Sequence, residues 1–318
     1  MVEESNFRHE RAVSRKPGRD RKLVLMVPSL VTTGNIFCGF LSVTESLGGA
    51  QALSLGNIGA ATDHFDRAAV SIGFAYLCDF LDGRIARMTG AATEFGVELD
   101  SLADVLSFGI APAFLAFTWG YGTIPQLHKF AWAVSFVYLI CGALRLARFN
   151  VQAHQPNPHL PPKNPKVDKK AFVGLPIPAG AALIAAIAHF SPTPFSAGYE
   201  VRYSFLGQDL LIEQRVMAVG LLVLTAGLAL LMVSTIRYSS FKGVGKRQYH
   251  PRFLFLVLAL LVVSIWLFSR WTLLMLATVY VAHGIVGKLW SMMRWRKKDI
   301  TESDEPRLEF DNEPHPQS

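Results

Sequence analysis

Charge is scarce in this chain. Only 17% of its 318 residues are Asp, Glu, Lys or Arg, whereas 51% are hydrophobic, and the apolar residues gather in blocks long enough to cross a bilayer. That distribution excludes an ordinary water-soluble domain. Cysteine is scarcer still. Cys38, Cys78 and Cys141 are odd in number, sit inside apolar stretches and lack CxxC spacing, which excludes a disulfide framework and a structural zinc site. The histidines show neither HxxH nor HxxxH spacing, so no His metal site is expected. There is no internal repeat and no stretch that reads as a soluble domain.

The net charge of +7 does not point to nucleic acid, because Lys and Arg fall in short clusters between apolar blocks, as the positive-inside rule expects. At about 20 residues per crossing, the pattern predicts an all-α integral membrane protein with about eight transmembrane helices, near 25–47, 68–88, 96–119, 129–149, 173–191, 215–236, 253–269 and 271–291. Residues 1–22 carry Arg8, Arg11, Arg15, Lys16, Arg19, Arg21 and Lys22 without an apolar core or cleavage site, and read as a basic cytoplasmic arm rather than a secretory signal. Lys163, Lys166, Lys169, Lys170, Lys242, Lys246, Arg247 and Arg252 would then lie on the same side. Residues 48–66 and 121–128, by contrast, hold no Lys or Arg, and 193–214 hold only Arg202. Both termini are thus expected in the cytoplasm. Residues 299–318 are acidic, Pro-containing and poor in apolar side chains, and are expected to form a disordered tail. Trp119, Tyr121, Trp132, Trp266, Trp271, Trp290 and Trp295 fall near predicted span ends and read as an interfacial belt.

The chemistry concentrates between Cys78 and Asp104, in CDFLDGRIARMTGAATEFGVELDSLAD. An ionised carboxylate near the bilayer centre costs about 2.5–3.5 kcal/mol, so four of them require something positive among them. On a helix Asp79, Asp82, Gly83 and Ala86 share one face, with Arg87 one step round, and Gly96, Asp100 and Asp104 share a face of the next. A short turn containing Gly90 makes the two helices antiparallel neighbours whose carboxylates can converge. Hard oxygen ligands without His or Cys favour Mg²⁺, Mn²⁺ or Ca²⁺, and the small residues leave room for a bulky ligand such as a diphosphate. The rival reading pairs the aspartates with Arg84 and Arg87 as a staple for the helix hairpin. A transporter is a second rival, but its charges would be spread over repeated halves rather than clustered in one hairpin.

The segment resembles the CDP-alcohol phosphatidyltransferase family, whose signature D-x2-D-G-x2-A-R-x8-G-x3-D-x3-D is matched by Asp79, Asp82, Gly83, Ala86, Arg87, Gly96, Asp100 and Asp104. The resemblance implies a six-helix core, here residues 23–240, with 241–298 as a C-terminal two-helix extension, and a homodimer. It also implies two divalent cations, Mg²⁺ or Mn²⁺, held by Asp79, Asp82 and Asp100. Asp104 would complete that metal site and act as general base, while Gly83, Ala86, Arg87 and Gly96 would bind the CDP-lipid. ELDSLADVLSFGIAP (98–112), RLARFN (145–150), GLPIPA (174–179) and PSLVTTGNIFCG (28–39) are similar to the membrane-spanning, serine-using branch of the family. Ser101 and Val105 stand where the glycerol-phosphate branch usually has Pro and Lys. The substrates implied are CDP-diacylglycerol and L-serine, at the cytoplasmic face of the membrane among its lipids. Glycerol phosphate, inositol phosphate or choline is the alternative acceptor. Arg145 and Arg148, at the cytoplasmic end of the fourth span, are candidates for the serine carboxylate or a lipid phosphate; headgroup snorkelling is the competing reading. Asn35 either bonds a neighbouring helix or lines the nucleotide site.

Overall fold

Apolar blocks of this length can satisfy their backbone only as helices when no water is at hand, and helices are what the chain forms. The computed structural model describes residues 19–89, 93–122, 124–154, 171–195, 201–205, 208–212, 214–234, 237–239 and 251–303. Among these run α1 (Arg19–Ser54), α2 (Ile58–Thr89), α3 (Glu94–Tyr121), α4 (His128–His154), α5 (Ile177–Phe190), α6 (Gln214–Val233) and α7 (Pro251–Ser303). Most of the basic arm, Gly90, the Lys163–Lys170 cluster and the end of the acidic tail lie outside the described residues, whereas Arg19–Lys22 already belong to α1.

Four segments are long and apolar enough to cross a membrane: Glu94–Tyr121, His128–Val151, Gln214–Val233 and Ala259–Gly287. Helices α1 and α2 have 36 and 32 residues, longer than their apolar stretches, so the expected 48–66 connection shrinks to a few residues. Asn57 causes this by capping α2, its Oδ1 accepting from the Ala60 amide at 3.0 Å. Helix α5 has only 14 residues. Pro176 is its N-cap and Pro178 lies in its first turn, where a missing N–H costs nothing. Just before it Gly174 takes φ +85°, and a Cβ there would strike the Met232 carbonyl, so only glycine fits.

Two short antiparallel ribbons interrupt the all-helical pattern: β1 (Ala171–Val173) with β4 (Arg237–Ser239), and β2 (Val201–Phe205) with β3 (Gln208–Ile212). Alternation in V-R-Y-S-F explains β2, in a stretch that hydropathy alone marks only as a connection between spans.

Inside the bundle, Phe65, Ile72, Phe108, Leu115, Tyr138, Ile177, Ile184 and Leu228 are buried. Outside it, Phe37, Phe74, Leu144, Val223 and Trp266 are each more than half exposed, an apolar surface whose solvent is lipid rather than water. The aromatic belt is corrected in part. Trp119 and Tyr121 are wholly buried, Tyr121 sharing a hydrogen bond with Ser135 at 2.9 Å, because α3 runs through the middle of the bundle. Trp132, Trp266 and Trp271 are exposed as expected. The three cysteines are free thiols.

Helix α7 breaks at Phe268 (φ −135°, ψ 46°). Across the break Ser264 Oγ meets Thr272 Oγ1 at 2.9 Å, although residues eight apart on a straight helix are separated by about 12 Å. The two arms therefore form a hairpin. Its tip is tied to the bundle by a relay in which His189 Nδ1 contacts Asp66 Oδ1 at 2.6 Å and His189 Nε2 contacts Ser269 Oγ at 3.0 Å. Replacing His189 by Ala strands both partners and should cost about 1–2 kcal/mol, seen as a lower apparent Tm of the detergent-solubilised protein; an unchanged Tm would show that the relay does not hold the tip.

Candidate active site

Helix α2 carries Asp79 and Asp82 near its end, and after a short connection α3 returns with Asp100 and Asp104. Thr93 caps α3, its hydroxyl accepting from the Gly96 amide at 3.0 Å, which fixes where the helix starts and hence which face Asp100 and Asp104 share. One carboxylate oxygen each from Asp79, Asp82 and Asp100 lies within 4.8 Å of the others. Asp104 is one turn further in and only 9% exposed. The convergence expected from spacing is therefore present.

The surroundings of these carboxylates carry the argument. Both oxygens of Asp82, and one each of Asp100 and Asp104, are sealed from solvent without a hydrogen-bond partner. Among the described residues ion pairs within 4.0 Å join Glu45 to His64 and Arg67, and Asp66 to His189; none includes these four aspartates. Arg84 and Arg87 are exposed on α2, so the salt-bridge staple is not what holds the hairpin. A Cβ on Gly83 would meet only the Arg87 guanidinium, at 3.9 Å, leaving that face of α2 open beside an exposed cation. Buried, unpaired carboxylates of this kind are tenable only with positive charge among them, and an all-oxygen set suits a hard divalent ion. The residues present fit such an ion.

Helices α1 and α4 close the site. Gly39 of α1 packs onto Ser107 of α3; a Cβ at Gly39 would overlap the Ser107 hydroxyl and stand 2.9 Å from its Cα. The contact lets Ser107 Oγ donate to the Asn35 carbonyl at 3.0 Å. The side chain of Asn35 is fully buried with both polar atoms unpaired, and Thr32, one turn earlier, is the polar neighbour of Asp82 on that side. Directly after Asp104 the helix widens into a π-helical segment, Val105–Ile110, a device frequent at functional sites. Pro112 lacks an N–H, and the Phe108 carbonyl one turn before it accepts instead from the Tyr138 hydroxyl of α4, at 3.2 Å. From the end of α4 Asn150 Nδ2 donates to Ser101 Oγ at 2.8 Å, next to Asp100.

The two candidate arginines part company. Arg145 is half-buried, its Nε sealed and unpaired, within electrostatic reach of Asp104. Arg148 is exposed, as a headgroup contact would be. Ala86 and Gly96 both lie half-buried on the two carboxylate helices. Sequence reasoning used Ser101 only as a mark of the serine-using branch and missed Thr32, Ser107, Tyr138 and Asn150 as parts of the site. Asn150 was visible as the last residue of RLARFN, but nothing in the chain pointed to its partner 49 residues away.

A helical bundle that turns large apolar side chains outward and buries unpaired carboxylates at one end of a helix hairpin is a polytopic membrane protein with an acidic centre. Residues 25–283 match the CDP-alcohol phosphatidyltransferase family, and the chain belongs to it. It is similar to a Helicobacter pylori protein named CDP-diacylglycerol–serine O-phosphatidyltransferase, 30% identical over 270 residues, 85% of this chain and 93% of the relative. A Bacillus subtilis protein of that name is 31% identical over 217 residues, 68% of this chain and 91% of the relative. One from Saccharomyces cerevisiae is 36% identical over 165 residues, about half of each chain.

Gly39→Ala should force α1 off α3 and destabilise the protein by about 1–3 kcal/mol. Gly73→Ala, where a Cβ meets nothing within 4 Å, is the control. Equal melting temperatures for the two variants would contradict the close α1–α3 approach.

Proposed function

We propose that this enzyme transfers the phosphatidyl group of CDP-diacylglycerol to the hydroxyl of L-serine, giving phosphatidylserine and CMP. The observation that carries the reading is the convergence of Asp79, Asp82 and Asp100, with sealed, unpaired oxygens on Asp82, Asp100 and Asp104, at the family signature positions. The names of the relatives in Helicobacter and Bacillus, each matched over most of its length, support serine as the acceptor.

In this reading Asp79, Asp82 and Asp100, completed by Asp104, would hold two Mg²⁺ or Mn²⁺ ions, and the chemistry these would supply is neutralisation of the diphosphate charge. The chain's own residues do the rest. Gly83, Ala86 and Gly96 present a face without bulk to the CDP moiety, and Arg87 clamps a phosphate with two parallel N–H groups. Asp104 accepts the serine hydroxyl proton as the serine oxygen bonds to the phosphorus bearing the lipid. The phosphorus–oxygen bond to CMP breaks in the same displacement. Burial of Asp104 removes competing water, so the proton comes from the acceptor. Arg145 receives the serine carboxylate, and Arg148 contacts lipid phosphate.

The Lys and Arg clusters support an orientation with both termini and the carboxylate end of the bundle in the cytoplasm of a multi-pass membrane protein. Residues 23–240 form the transferase core and 241–298 its extension; the family pattern supports a homodimer.

Two measurements test this. The purified protein, given CDP-diacylglycerol and Mn²⁺ or Mg²⁺, should release CMP with L-serine and stop on addition of EDTA, while glycerol 3-phosphate, inositol phosphate and choline remain inert. Release with one of these instead would keep the chemistry and replace the acceptor. Asp104→Asn should lower kcat at least about 10³-fold yet retain CDP-lipid binding, and near-normal turnover would remove Asp104 from the proton-transfer role.

A further inference from the structure

The hairpin of α7 has no part in the chemistry above, yet its returning arm packs inward. Val281 is 6% exposed, and Ala277, Tyr280 and Ile285 lie against the buried core. Two registers locate Tyr280. At the tip, Ser269 is joined through His189 to Asp66 of α2, and Trp271 stacks edge-on against Phe190 with centroids 4.7 Å apart. From Asp66 along α2 to Tyr76 is a rise of about 15 Å, and from Ser269 along α7 to Tyr280 about 16 Å. Helix α7 packs on α5, and α5 runs from His189 at the pinned end back over about 18 Å to Ile177, which lies against Gly142 of α4, one turn before Arg145. Tyr280 is there within electrostatic reach of Tyr76 and of Arg145.

Arg145 needs a partner of this kind. It lies within reach of Asp104 but forms no ion pair with it within 4.0 Å. In a half-buried slot a guanidinium with no competing acceptor would collapse onto the nearest carboxylate and weaken it as a base. A phenol oxygen supplies a neutral acceptor that leaves the Arg145 charge available to a ligand.

We propose that Tyr280, brought to the site by the C-terminal hairpin, is a positioning residue for the acceptor: it holds the Arg145 guanidinium off Asp104 and toward the carboxylate of the incoming amino acid. The proposal rests on the serine reading above. It also makes the hairpin part of the acceptor pocket rather than an appendage to the transferase core.

Tyr280→Phe keeps the ring and its packing and removes only the hydroxyl. In the full-length enzyme with CDP-diacylglycerol and Mn²⁺ or Mg²⁺, the variant should raise the KM for L-serine about tenfold, the scale of one hydrogen bond to a charged group. Its kcat should stay within about twofold, with an unchanged KM for CDP-diacylglycerol and an unchanged melting temperature. Combined with Arg145→Lys, it should add little to the single Arg145 effect, because the two residues act as one unit. An unchanged serine KM, equal rises in both KM values, or fully multiplicative effects in the double variant would each overturn the role. Wild-type protein that releases CMP only with another acceptor would refute the serine reading alone. The same comparison is then made with that acceptor: a selective KM rise for an anionic acceptor sustains the positioning role, and no rise overturns it.

Discussion

Asp82 and Asp104, withdrawn from water, with Asp79 and Asp100 half-buried beside them and none of the four in an ion pair within 4.0 Å among the described residues, set the terms for the rest of this structure. Burying such a group without compensation costs several kcal/mol, so the surrounding bundle must hold the four in place although they repel one another. It does so with contacts that carry no charge. Thr93 fixes the start of α3, Asn57 the start of α2, and the glycine contact at Gly39 brings α1 against Ser107 just beyond Asp104. Arg84 and Arg87 are kept outside. Had either been folded inward against Asp82, the positive charge needed there would come from the protein itself, and the site would have no call on a ligand.

Much of this was legible in the chain. The spacing of Asp79, Asp82, Asp100 and Asp104 places them on facing helix surfaces from periodicity alone, and the apolar blocks locate α3, α4 and α6 closely. Other features were not, and the reasons are physical. The span estimate for α1 and α2 followed hydropathy, whereas their ends follow capping, which extends a helix into polar sequence. Trp119 and Tyr121 look interfacial by position but are buried, because the second half of α3 is enclosed by its neighbours. The contacts of Asn35 with Ser107, of Asn150 with Ser101 and of His189 with Asp66 and Ser269 depend on the rotation of each helix about its axis. A single sequence constrains that rotation only where it repeats a pattern.

Helix α3 shows how the two kinds of information meet. Its first half is regular, and the carboxylates appear where a 3.6-residue period puts them. Past Asp104 it widens into π-helical turns, and Pro112 removes a donor that Tyr138 of α4 compensates. An irregular helix is a poor platform unless its neighbours brace it. Here α1 braces it through Asn35 and Ser107, and α4 through Tyr138 and Asn150. The same α4 carries Arg145, so the brace that stabilises the carboxylate helix also sets the distance between Asp104 and the nearest guanidinium.

The C-terminal hairpin extends that logic across the bundle. Helix α7 packs on α5 and returns from the His189 relay toward the end of the bundle where Ile177 meets Gly142, one turn before Arg145. A helix is stiff along its axis, so a tip fixed by two hydrogen bonds and an aromatic contact fixes the height of every residue on the returning arm. A change at Ser269, far from the carboxylates, therefore alters the site by displacing Tyr280 along the bundle axis rather than by any charge effect. That displacement acts on Arg145 while leaving Asp79, Asp82 and Asp100 on α2 and α3 where they are. In the proposed reading the acceptor-positioning residues and the carboxylates sit on different helices, so the fold permits one set to vary while the other is kept.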